Sequence, residues 1–97
     1  MEPETKIYLN TIIDKLLKKE NLTKKTELLR KYESIDLISS IENALFGAFI
    51  EALHDVTVVL NVYEGYSLTS EDTDDLLQLI NSRLLEIKEK ISIAANL

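Results

Sequence analysis

The sequence predicts an all-α fold, a small helical bundle within one domain. Three observations carry this. In 97 residues there are only two glycines, Gly47 and Gly65, and one proline, Pro3, whereas turn-rich β architectures need many such punctuators. Apolar residues, 45% of the chain, recur at spacings of three and four, the period of a helix with one buried face. Helix-start residues also precede most of these periodic runs.

The first helix is expected over about Pro3 to Glu20. Proline suits a first helical turn, where its missing N–H would have no intrahelical partner. Leu9, Ile12, Ile13, Leu16 and Leu17 form its apolar face, and Asn21 is a plausible stop because asparagine tolerates the left-handed conformation. A short helix over Lys24 to Tyr32 follows, with Thr23 as N-cap and Leu28, Leu29 and Tyr32 as its buried candidates. A break is expected near Glu33-Ser34, because a helix from Thr23 to Tyr63 would be roughly 60 Å long, too long for a compact domain of this size.

A third helix is expected from Ile35 to Tyr63, with Ser34 as its N-cap and Gly65 just past its end. At 100° per residue, Ile38, Ile41, Leu45, Ala48, Phe49, Ala52, Leu53, Val56, Val59, Leu60 and Tyr63 share a broad arc. Asp36, Ser39, Ser40, Asn43, Glu51, His54, Asp55, Thr57 and Asn61 fall opposite. Ile50, Val58 and Val62 interrupt that polar strip, so this helix should be covered on more than one side. Val56 to Tyr63 has the β-branched content of a strand. A lone strand would leave its backbone groups unpaired, so the segment is read as helical.

A fourth helix is expected over Ser70 to Ala95. Thr69-x-x-Asp72 has the form of a capping box. Thr73, Leu77, Ile80, Leu84, Ile87, Ile91 and Ala94 form a heptad seam, with Leu79, Leu85 and Ile93 off it. The expected architecture is thus three long helices plus one short one, up-and-down, and open to completion by dimerisation. Glu64 to Leu68 reads as a loop.

Charge divides the chain. Net charge is −6, but Lys15 to Lys31 carries seven basic residues against Glu20 and Glu27, and from Tyr32 onward twelve acidic residues face Arg83, Lys88 and Lys90. Such polarity favours head-to-tail self-contact or steering of a charged partner. The absence of cysteine excludes disulfides and thiolate-ligated metals and suits a reducing compartment, so a cytoplasmic protein is expected. The acidic Met1-Glu2-Pro3-Glu4 does not have the form of a secretion leader. Ala44 to Tyr63 is interrupted by Glu51 and Asp55, so no membrane span is expected.

Glu51-x-x-His54 is the sharpest chemical pattern. Residues three apart share a helix face, so a carboxylate and an imidazole there can bind one metal, as pairs of such motifs do in di-iron bundles. One pair and one histidine would need a symmetric dimer to complete a site. Asp55-Val56-Thr57 lacks the lysine and glycine that histidine phosphotransfer domains place after their histidine. The acidic pairs Glu33-x-x-Asp36, Glu71-x-x-Asp74 and Glu86-x-x-Glu89 come in the reverse of the order used by all-α nucleotide pyrophosphohydrolases. The lysines of residues 15 to 31 raise nucleic-acid binding, which the acidic remainder and the lack of interleaved aromatics disfavour. No catalytic or cofactor site is predicted. The expectation is a non-enzymatic protein–protein interaction bundle, self-associating as a dimer. The alternatives are a dimeric metal-binding bundle at Glu51 and His54 and a nucleic-acid-binding regulator.

Overall fold

The computed structural model describes residues 1–63 and 69–97, apart from the side chains of 61–63. It is all-helical over those residues, with five helices: α1 Pro3–Leu16, α2 Lys19–Glu33, α3 Ile41–Tyr63, α4 Ser70–Ser82 and α5 Leu84–Ala95. The class agrees with the expectation, and the count and boundaries differ at instructive places. Gly65 and the loop expected over Glu64 to Leu68 lie outside the described residues.

The chain reverses after Leu16 rather than after Glu20. Leu17 and Lys18 form the turn, and Asn21 sits inside α2, where its side-chain amide donates to the Lys15 carbonyl. Nothing in Lys18-Lys19-Glu20 breaks a helix by propensity. Packing decides instead, because the early turn brings Leu22 and Thr26 of α2 into the core beside Leu9, Ile13 and Leu17. The buried side of α2 is therefore Leu22 and Thr26, with Leu29 half-covered, while Leu28 and Tyr32 are exposed. Thr23 is not a cap, and the N-cap Lys18 makes no side-chain capping bond.

Ser34 closes α2 instead of opening α3. Leu37 N–H donates to the Tyr32 carbonyl and Asp36 N–H to that of Glu33, both at 3.0 Å. With Asp36 in the left-handed region at φ 61°, this is a Schellman end. α3 starts later, at Ile41, with Ser40 as its cap: the Ser40 hydroxyl accepts from Asn43 N–H at 3.2 Å.

α3 lies against α1, α2 and α5, which agrees with the expectation that it is covered on several sides. Its buried row is Ile41, Leu45, Phe49, Leu53 and Thr57. These are four residues apart, so the row drifts about 40° per step around the helix, as when i±4 ridges cross neighbouring helices obliquely. That drift explains two misplaced residues. Thr57, assigned to the polar strip, is fully buried, its hydroxyl donating to the Leu53 carbonyl at 2.9 Å. Val59, assigned to the apolar arc, is 65% exposed. The β-branched segment is helical through Tyr63.

The predicted single fourth helix is two. Arg83, at φ −119° and ψ 17°, ends α4 and opens α5. The break re-phases the seam. In α5, Ile87, Ile91 and Ala94 are buried as the heptad requires, but in α4 the buried residue is Leu76, while Thr73 and Leu77 face solvent.

The molecule is elongated. Its radius of gyration is 14.5 Å and its extents are 42 × 24 × 20 Å, against about 12.5 Å expected for a compact chain of this length.

Candidate interaction surface

Glu51 and His54 both stand exposed on α3. Among the described residues no three His, Cys, Asp or Glu side chains gather as a metal site would require. Among the described residues the predicted pair is therefore brought to no third ligand.

The cations of residues 15 to 31 do not form one stripe. Arg30 turns to the end of α5 and donates to the backbone carbonyls of Ala95 and Leu97, at 3.2 and 2.9 Å. The last turn of α5 has no basic residue of its own, so Arg30 supplies the cation that the negative end of that helix favours. Lys18 and Lys19 stand at the α1–α2 turn, and Lys25 beside a small cleft of about 100 Å³ with Ala48 and Ala52 of α3.

A half-open groove of about 450 Å³ lies where the α1–α2 turn meets the end of α5. Leu17, Leu22, Ile93, Ala94 and Leu97 supply apolar lining, and Asp14, Lys18, Lys19 and Lys90 supply charge. Two of these charges are already engaged. Asp14 accepts from Arg83, and Lys90 pairs with Glu86 at 3.1 Å. Among the described residues Lys18 and Lys19 make no ion pair. Sequence reasoning missed the groove; its one signal was Ile93, apolar yet off the heptad seam.

Arg83 was missed as well. Its guanidinium donates to the Asn10 carbonyl at 3.1 Å, to Asp14, and to both carboxylate oxygens of Glu86 at 3.0–3.2 Å. It thereby ties the middle of α1 to the α4–α5 break. Hydrogen bonds from Lys90 first and Arg83 second hold the Glu86 carboxyl below its usual range. At the other end of α1, the Met1 ammonium donates to Asp75 at 3.0 Å and lies 3.6 Å from Asp72. The Asp75 hydrogen bond raises that ammonium's pKa above its ordinary value.

The capping box at α4 forms as predicted: the Thr69 hydroxyl accepts from Asp72 N–H at 3.1 Å, and Thr69 N–H donates to the Asp72 carboxylate at 3.2 Å. Backbone and hydroxyl donation from Thr69 lower the Asp72 pKa. A carboxyl whose folded pKa is depressed stabilises the fold above its unfolded value, and that contribution is lost as pH falls through the folded one. Wild-type stability should therefore hold near neutrality and fall below about pH 4. Urea midpoints of wild type and Asp72→Asn should converge as pH is lowered through that range. A constant gap down to full protonation would show that the Asp72 charge contributes nothing.

No protein-family model matches the chain, no curated protein matches it in sequence, and no solved structure matches its fold. Function has to be argued from the surface itself.

Proposed function

We propose that this chain is a non-enzymatic helical interaction module that self-associates as a dimer. The observation that carries the reading is the set of large apolar side chains left exposed, Ile50 and Val59 on α3 and Leu77, Leu85, Ile93 and Leu97 beyond it. Residues Ile41–Leu60 have mean hydropathy 1.4, and only Ile41, Leu45, Phe49, Leu53 and Thr57 of them are buried within the chain. Ile50 and Val59 are more than half exposed. Exposed large apolar side chains in this number are a mark of interaction surfaces.

The surface area supports the same reading. The accessible area is 6634 Å², whereas a folded monomer of 11.1 kDa is expected to show about 5,700 Å². The surplus goes with the elongated shape, which leaves more surface open to a partner. By length and composition α3 also reaches the threshold for a membrane span, but Glu42, Glu51 and Asp55 would lie within such a span, and a charge there is costly.

Sedimentation equilibrium tests the proposal. The expected mass is twice 11.1 kDa, falling toward the monomer on dilution. A concentration-independent monomer overturns it, and so does recovery of the protein only in the membrane fraction.

A further inference from the structure

The groove between the α1–α2 turn and the end of α5 has an apolar floor and two cations, Lys18 and Lys19, that make no ion pair among the described residues. Its rim also holds Asp14, bound to Arg83, and Lys90, paired with Glu86, so Lys18 and Lys19 are the charges it offers to a guest. A rim of this sign selects an acidic guest, and the floor selects one with an apolar anchor.

The exposed side of α4 offers that combination. Leu77 is 59% exposed, and at helical spacing Asp74, Gln78 and Asn81 share its side. Asp74 is exposed and lies beyond the Thr69–Asp72 capping box. We infer that the groove receives the Asp74–Leu77 face of α4 from a second copy of this chain, with Leu77 against Ile93 and Leu97 and Asp74 beside Lys18 and Lys19. The inference rests on the self-association proposed above and names the surfaces that set its register.

The two patches lie toward opposite ends of α1. The groove includes Leu17, at the C-terminal end of α1, while Met1, at the other end, binds Asp75 of α4. The patches are therefore separated by about the length of α1, roughly 20 Å at 1.5 Å per residue. In the proposed antiparallel two-fold pair each groove receives the other copy's α4. A two-fold pair of this kind is closed and does not propagate into a filament.

Charge exchange tests this in the full chain. One variant carries Lys18→Glu and Lys19→Glu; a second carries Asp74→Lys and Gln78→Lys; a third carries all four. Acidic residues at the start of α2 suit its dipole, and circular dichroism confirms that each variant is folded. Each two-residue variant should weaken dimerisation at least about tenfold, within the range of charged-pair couplings at interfaces, and the four-residue variant should restore it to within a few-fold. Raising ionic strength should weaken the wild-type dimer. Wild-type dimerisation that is indifferent to both exchanges, or to salt, overturns this register while leaving self-association standing. A four-residue variant no tighter than the others overturns it too. A wild-type protein that never dimerises removes both proposals together.

Discussion

Replacing Leu53 with alanine should cost about 2–5 kcal/mol of stability, the range for removing a buried leucine and leaving a cavity. Leu53 is fully buried near the middle of the Ile41–Thr57 row, in the same core as Leu9, Ile13, Ile87 and Ile91. Such a loss is a large part of the 5–15 kcal/mol that holds a domain together. For a chain of this size it corresponds to a fall in Tm of at least about 10 °C. Leu85→Ala is the control: at 84% exposure it should change stability by less than about 0.5 kcal/mol. Urea unfolding at one fixed protein concentration measures both, because association adds stability by mass action. Equal midpoints for the two variants would mean that Leu53 does not occupy the core.

Arg83→Ala should cost about 2–3 kcal/mol, as expected when hydrogen bonds from a largely covered charged group are lost. The guanidinium side chain is only 17% exposed. The share belonging to Asp14 is small, because that carboxylate is 64% exposed and exposed ion pairs contribute little; Asp14→Asn should change stability by under about 1 kcal/mol. The larger share comes from the fork itself, which reaches the Asn10 carbonyl and Glu86 together. Lysine has the charge but not the planar fork, so Arg83→Lys should recover only part of the loss. A lysine variant as stable as wild type would reduce Arg83 to a simple point charge.

The all-helical class was legible because it rests on period and composition, which are local. The α4 capping box was legible for the same reason, since Thr69 and Asp72 are three residues apart and need no distant partner. The α1–α2 turn was not. Lys18, Lys19 and Glu20 favour helix, and the chain turns there because Leu22 and Thr26 gain cover against α1 and α3. The break at Arg83 was hidden by a heptad that runs through it without a slip in the sequence; only Leu76, off the seam yet buried, marks the change of phase. Thr57 and Val59 exchanged places because a fixed 100° wheel ignores the crossing angle of neighbouring helices. Of the candidate site residues, Glu51 and His54 were legible as a pair, but whether a third ligand joins them depends on the tertiary fold. The groove joins residues 14–23 to residues 90–97, a juxtaposition that no local pattern announces.

The phase reset at Arg83 makes α4 and α5 two separately geared rods rather than one shaft. Deleting a single residue between Ser70 and Ser82 would rotate the early part of α4 by about 100°, carrying Leu77 to a new bearing. Ile87 and Ile91 would keep their seats, because the joint absorbs the turn. The same rotation would carry Leu76 away from the core it shares with Ile87 and Ile91, so the outer face of α4 can be re-aimed only at the expense of that one seat.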